Sequence, residues 1–496
     1  MTSPSLRPSR AVSLEGPGPS LLGAARSWLT PLFPPAAPAN LPAPVVALGY
    51  VLGTAVLALL ALSRQSGLAA TRTMWAEDGS VFYSQAVGRP FWSALVTSYN
   101  GYEQLVPRLG AELARLVPVL DAPVVAAWGG ALGLAVLALA VFHMARGHLP
   151  SVAARGVLVL CMVLLPVAVV EMLDNFVNLP WWMFFASFWA LLWRPRGRAG
   201  ASGVFVLCGL AAASEPLVAL LAPLAVARLV ALPRLRDNWA VAGLVAGLVL
   251  QGLVVLGAPG PHGLPATGLA STVPAFFLRV GAGWLGGLDG TDVLAGASRL
   301  LGELVGALLL GALLATVLVG GGRQARRLGL TVAVLAPLCF VVPSWLRGVG
   351  PQMQQATSVG FAGRYAATSV LMVLSVLLSA ACGPGQRLFA GRGGRARPAH
   401  RRGTGPAVPP LAVLVCCLAL LPAWVVDFRD WNGRAGGPSW ASQVELARSA
   451  CARPGAATAY LAIDPPGQVV ALPCRLLRAP LLRAPGRGPR APRPGS

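Results

Sequence analysis

The residue types best suited to chemistry gather in one stretch, "TMWAEDGSVFYSQAVGRPFWSALVTSYNGYEQLVPRL", which runs from Thr73 to Leu109 directly after the first strongly apolar segment. Glu77 and Asp78 stand side by side there, in a chain with only 17 acidic residues. Two neighbouring carboxylates beside a membrane repel each other and lose hydration, so one of them can acquire a raised pKa suited to accepting a proton. Asp78 is also readable as a helix N-cap, because Gly-Ser-Val-Phe follows it, and that role needs no reaction. The pair gains interest from its company, which includes Tyr83, Tyr99, Tyr102, Glu103 and Arg108.

The elements that must position these groups are membrane-spanning helices. Of 496 residues, 55% are hydrophobic and 11% charged, far below the roughly 25% charged residues of a soluble domain. Repeated apolar runs of about 17 to 22 residues, parted by short Arg-, Gly- or Pro-containing breaks, fit helices that satisfy their own backbone in lipid. Spans are expected near 43–62, 122–142, 152–170, 178–193, 200–213, 216–232, 239–257, 301–320, 328–343, 365–382 and 408–426. The fifth and sixth are also readable as one tight hairpin with Glu215 at its tip, where an ionisable group between apolar segments is a functional candidate. The fold class is thus an all-α polytopic membrane protein of about eleven transmembrane helices. Residues 1–42 are read as a disordered cytoplasmic N-terminus, and the first span as an uncleaved signal anchor.

All 39 basic residues are Arg. They are scattered between apolar spans with no basic stripe interleaved with stacking aromatics, so nucleic acid is not an expected partner. With the N-terminus cytoplasmic, the cytoplasmic segments carry 20 Arg and the longer external loops between spans 9, which favours that orientation by the positive-inside rule, whereas the other 10 lie in the external tail beyond residue 426 and run against it. Fifteen of the 17 acids then fall on or near the external face, which places the chemistry outside.

Three external segments are long enough to carry function: 63–121, 258–300 and 344–364. The first, with Val81-Phe82-Tyr83 and Phe91-Trp92, and the second, with "PAFFLRVGAGWLGGL", suit helices lying in the interface. Residues 427–477 read as a small extracytoplasmic α+β domain with a helix over 440–450 and strands over 457–463 and 468–472. Cys451 and Cys474 close this unit; on an exported face they can form a disulfide, with free thiols as the alternative. The tail 478–496 is Pro/Arg-rich and read as disordered, free to touch anionic lipid or wall polymer.

A multispan chain with an acidic pair in its first external loop and a small extracytoplasmic C-terminal unit resembles the GT-C superfamily of integral-membrane glycosyltransferases. "EDGSVF" (77–82), "GYEQLVPRL" (101–109), "NLPWW" (178–182) and "GRY" (363–365) are similar to motifs of an uncharacterised bacterial branch of that superfamily. The resemblance implies sugar transfer at the external face of the cell membrane. The donor would be a polyprenyl-phosphate sugar, and the acceptor an envelope glycan, lipid or protein hydroxyl. It also implies that an acid of the first-loop pair acts as base or positions the acceptor. Many relatives have Asp-Asp or Asp-Glu where this chain has Glu-Asp, so whether Glu77 or Asp78 acts stays open.

The residue types fit that chemistry on their own terms. A hydroxyl attacking an anomeric carbon needs a base, and the departing lipid phosphate needs cations. Asp78 is the first choice for the base. Arg108, Arg347 and Arg364, the last beside Tyr365, are the external cations placed to meet a phosphate, or else snorkelling anchors. Glu171, Asp174, Asn175 and Asn178 precede Trp181-Trp182 and read either as a sugar-binding cluster on an aromatic platform or as a polar loop above an aromatic belt. Carboxylates with water can hold Mg2+ or Mn2+, although the sequence demands neither. A transporter or lipid-linked sugar flippase, and a non-catalytic envelope protein, are the competing readings.

Overall fold

The computed structural model describes residues 21–35, 42–168, 171–257, 268–355, 363–382, 411–430 and 432–478. They are overwhelmingly helical. The principal helices are α1 (Leu21–Leu29), α2 (Ala43–Ser63), α3 (Leu105–Arg115), α4 (Ala122–Met144), α5 (Val152–Val163), α6 (Leu179–Leu192), α7 (Arg198–Ser214), α8 (Ala222–Ala231), α9 (Trp239–Gly257), α10 (Leu269–Phe276), α11 (Gly283–Ala297), α12 (Arg299–Gly320), α13 (Arg323–Leu346), α14 (Gly363–Ala381), α15 (Leu411–Val426) and α16 (Trp440–Cys451). All eleven expected apolar segments contain helix. Among the described residues, seven helical segments are long and apolar enough to cross a membrane, while α5, α6, α7 and α8 are shorter.

Burial sorts the helices into centre and periphery. All residues of α6 are buried, including Trp182 and Trp189, as expected for a helix that is apolar on every side. It packs on α4, α7 and α14. By contrast α2 and α12 expose Val51, Val56, Leu304 and Leu308, which suits contact with lipid chains. The closest pairing, α7 with α9, depends on small residues. A Cβ on Gly243 would strike the carbonyl of Phe205, and one on Gly247 the carbonyl of Gly209. Such backbone approach gives dispersion contact where lipid offers no hydrophobic driving force.

Several expectations change. Residues 21–35, within the segment expected to lack structure, form α1 and a following turn, and bury Leu32 and Phe33. They pack on the C-terminal end of α8 and the start of α13. The stretch around 274–283, read as interfacial, is largely buried. Phe276 ends α10, and Leu278 and Val280 sit in the following π-helical turn (Phe277–Ala282), which packs on α12 because Gly281 and Gly306 let the two backbones meet. The Gly/Pro-rich start of that loop (258–267), the Arg-rich 387–402 segment and the tail from 479 lie outside the described residues.

The C-terminal unit comprises α16 and two antiparallel strands, β1 (Thr458–Ile463) and β2 (Gln468–Pro473), with Thr458 opposite Pro473 and Ile463 opposite Gln468. Ala459, Leu461 and Ile463 alternate to the buried face and meet Val470 and Leu472. Cys451 and Cys474 form a disulfide with their Cα atoms 5.4 Å apart, tying the end of α16 to the end of β2. The unit does not stand apart from the membrane domain. Trp75 bridges to Asp464, the Ser84 hydroxyl accepts from the N–H of Ala471 at 3.0 Å, and Arg475 donates to the carbonyl of Val87. Gly79 is where the sheet comes closest: an added Cβ would lie 2.7 Å from Ile463 and 2.9 Å from Val470. Gly79→Val should therefore overpack this seam, at a cost of about 1–3 kcal/mol, and speed proteolysis of residues 440–478 in the purified protein. Protease protection equal to wild type would show that the sheet does not seat on Gly79.

Candidate functional site

The 63–121 segment sends its two acids in different directions. After the Trp75 bridge, Ala76 takes a left-handed conformation (φ 42°) and a π-helical turn begins at Asp78. Glu77 caps that turn and Asp78 begins it, and the two side chains enter different surroundings. Asp78 turns inward among Met74, Tyr83, Gly110, Ala111 and Phe176. Its Oδ2 accepts the backbone N–H of Phe176 at 2.7 Å, and Oδ1 has no partner. Burial pushes its carboxyl up to about 7, against the opposing pull of the Phe176 N–H and of Arg434. Asp78 thus fixes the 171–178 loop and does not reach the cavity described next.

Glu77 faces a cavity of about 220 Å3. One wall is a hairpin turn in which Tyr99 and Tyr102 exchange backbone hydrogen bonds of 2.9 and 3.3 Å across Asn100 and Gly101. Both central residues have positive φ (53° and 83°), the type I′ geometry that Asn-Gly favours. The turn projects two phenol rings, and the Tyr99 hydroxyl donates to Glu77 Oε1 at 3.4 Å.

The facing wall comes from the start of α6 and the start of α14. Asn178 and Trp181 line it together with Arg364 and Tyr365. The Asn178 amide donates to the carbonyl of Glu171 at 2.8 Å, and Trp181 meets the edge of Tyr365 at 5.2 Å between centroids. Glu171 holds Arg364 twice, through the guanidinium at 3.3 Å and the backbone N–H at 3.2 Å. Burial raises the Glu171 carboxyl, while Arg364 opposes that rise. The Arg364 guanidinium also lies 5.3 Å from the centre of the Tyr365 ring. Arg347 closes another side, 5.7 Å over Tyr102, and Glu215 lines the floor while its carboxylate accepts the N–H of Leu217 at 3.2 Å.

The cavity therefore gathers Glu77, Tyr102, Asn178, Trp181, Arg347, Arg364 and Tyr365 from five separate stretches of sequence, and it leaves out three residues expected there. Asp78 is turned away, as described. Arg108 is buried behind the wall, donating to Gln85 at 2.7 Å and to the carbonyl of Ala94 at 2.6 Å. Glu103 is its ion-pair partner at 3.3 Å, and the Glu103 backbone exchanges two hydrogen bonds with the Gln251 side chain. These contacts make Arg108 and Glu103 supports of the loop. Glu171 as the holder of Arg364 was missed in the sequence because the two are 193 residues apart, whereas the Asn100-Gly101 turn was a readable local signal. Among the described residues no three His, Cys, Asp or Glu side chains converge as a metal site.

No family model matches the chain, and no curated protein or solved structure matches it either.

The buried acid has a pH signature. Its folded-state pKa lies above the unfolded value of 3.8, so its contribution to stability is complete below about pH 4 and is lost as pH rises through about 7. Asp78→Asn keeps an acceptor for Phe176 and cannot ionise. Its thermal stability in detergent should fall less than that of wild type between pH 4 and 8. Parallel curves for the two proteins would show that Asp78 does not titrate in this way. Asp78→Ala leaves the Phe176 N–H unpaired and should cost about 1–3 kcal/mol at any pH.

Proposed function

We propose that the chain is a membrane glycosyltransferase of the GT-C kind, transferring a sugar from a polyprenyl-phosphate donor to an envelope hydroxyl acceptor. Eleven helices would span the membrane, with the N-terminus cytoplasmic and both the Glu77 cavity and the C-terminal unit outside. The observation that carries the reading is the conjunction, in one aromatic-lined cavity, of two carboxylates, Glu77 and Glu215, and two guanidiniums, Arg347 and Arg364, at the ends of apolar helices. Its volume, about 220 Å3, equals roughly seven waters at about 30 Å3 each, on the order of a single sugar ring.

In this reading Glu77, not Asp78, is the base. The acceptor oxygen bonds to the anomeric carbon on the face opposite the phosphate, its proton passes to Glu77, and the bond from the anomeric carbon to the phosphate oxygen breaks with inversion. Arg364 and Arg347 meet the charge that develops on the departing phosphate. Glu171 positions Arg364, and Trp181 and Tyr365 offer ring faces to the sugar.

Protein in lipid nanodiscs, given a panel of radiolabelled polyprenyl-phosphate sugars and envelope acceptors, should consume one of them. Glu77→Gln should lower transfer by about 100-fold or more, Arg364→Gln should do so comparably, and Asp78→Asn should retain most of it. Wild-type transfer by Glu77→Gln would remove the proposed base. Movement of labelled lipid across the bilayer without transfer would favour the flippase reading. The orientation has its own check: a membrane-impermeant maleimide should label Arg89→Cys in intact cells and Arg196→Cys only after permeabilisation, and the reverse pattern would sink the arrangement.

A further inference from the structure

The opposite end of the bundle holds a second cavity that the proposed reaction does not use. α6 begins just after Asn178 and α7 ends at Ser214, both on the lining of the aromatic cavity. Residues 193–197 join the far ends of these helices, so they lie one helix length away, about 25 Å at 1.5 Å per residue. There a cavity of about 570 Å3 opens between this connection and the start of α9. Its lining includes Arg194, Arg196, Arg198, Arg236, Asp237 and Trp239.

Engaged polar groups hold the elements that line this cavity. Arg228, wholly buried beneath Phe33, donates to the carbonyls of Leu191 and Asp237, and to that of Trp193 at 2.8 Å. It thereby fixes the end of α6 against the entry to α9. The Asp237 carboxylate forms a fork with Arg194, at 2.9 and 3.3 Å. Because the one acid on the described lining is already paired, Arg196, Arg198 and Arg236 leave the cavity with three positive charges. None of the three has an ion pair among the described residues. The bias of arginine toward one membrane face explains their presence at this end. It does not explain why these three exposed side chains line one open cleft beside the Arg194–Asp237 fork.

We propose that this cavity binds the phosphate group of an anionic ligand, held by charge-assisted contacts from Arg196, Arg198 and Arg236. Arginine suits the task because its planar fork matches phosphate oxygens. The first turn of α7 adds backbone N–H groups: its cap, Gly197, has no side chain to occupy them, and nothing lies within 4 Å of where a Cβ would sit. Trp239, 45% exposed at the rim, supplies an apolar edge. A phospholipid headgroup and a soluble phosphoanion share this chemistry. The inference stands apart from sugar transfer and from membrane orientation.

The full chain, purified in neutral detergent, would be titrated with phosphatidylglycerol and, separately, with pyrophosphate, and bound ligand counted by native mass spectrometry. Saturable binding of one ligand per chain is expected. The Arg196→Gln/Arg198→Gln/Arg236→Gln triple variant should weaken it by at least about tenfold. A control triple, Arg323→Gln/Arg326→Gln/Arg327→Gln, removes the same charge at the same end of the bundle and should leave it intact. Binding of the lipid alone identifies a headgroup site, and binding of pyrophosphate alone a soluble phosphoanion. No saturable binding of either, or equal loss in both triples, overturns the proposal. Should the first triple fail to fold, Arg196→Gln and Arg236→Gln made singly must each weaken binding for the proposal to stand.

Discussion

The structure depends on buried guanidiniums that serve backbone carbonyls. A helix that stops inside an apolar protein leaves its last C=O groups without partners, and no water is available to take them. Arg64 answers this at the break after α5 and at the end of α15, donating to Val163, Leu165, Asp427 and Phe428. Arg228 does the same at the end of α6, and Arg279 binds the carbonyls of Met353 and Gln355 after α13. Arg434, from the C-terminal unit, reaches Ala70, Thr73 and Asp174. Five donors in a rigid fork let one side chain satisfy several carbonyls at once, which a Lys ammonium cannot match in geometry.

That arrangement places the aromatic cavity. Arg64 and Arg434 bring two positive charges into the interior beside the 63–79 and 171–178 segments; Asp174 interacts with both, Asp427 with Arg64, and Asp78 and Asp464 with Arg434. Burial pushes Asp174 up to about 6, and Arg434 and Arg64 oppose the rise. Two loops distant in sequence are thereby fastened to each other and to the C-terminal unit. Only then can Glu77, on one loop, stand in the same cavity as Asn178 and Trp181, next to the other. The Glu-Asp-Gly run reads as three separate tasks: Glu77 faces the cavity, Asp78 anchors its wall, and Gly79 admits the sheet behind it.

Helices were legible in the sequence because apolar length and composition specify them locally. The C-terminal helix and both strands were legible for the same reason, within a residue or so, and Tyr102, Asn178, Trp181, Arg347, Arg364 and Tyr365 do line one cavity. The fate of individual charges was not legible. Arg108 and Arg364 look alike in sequence, each a few residues from a Tyr and close to an apolar segment. What separates them is the acid each meets, Glu103 behind the wall for one and Glu171 on its edge for the other. Likewise nothing local says which of two adjacent carboxylates points inward, since that is fixed by the Ala76 conformation and by contacts with residues about 100 and 400 positions away.

The distribution of acids distinguishes the two ends of the bundle more sharply than the distribution of arginines does. At the aromatic cavity Arg364 and Arg347 share the space with Glu77, Glu215 and the flanking Glu171, so opposite charges are present in comparable number. Such a site can favour a charge that develops during a reaction without holding a ligand's full charge too tightly beforehand, which is the differential binding that catalysis requires. At the far cavity a single acid is already paired and three guanidiniums remain. That excess favours a resting anion equally well at all times, which is a property of binding and not of turnover. The same amino acid thus serves as carbonyl staple, as ion-pair partner or as fixed charge according to what its guanidinium meets.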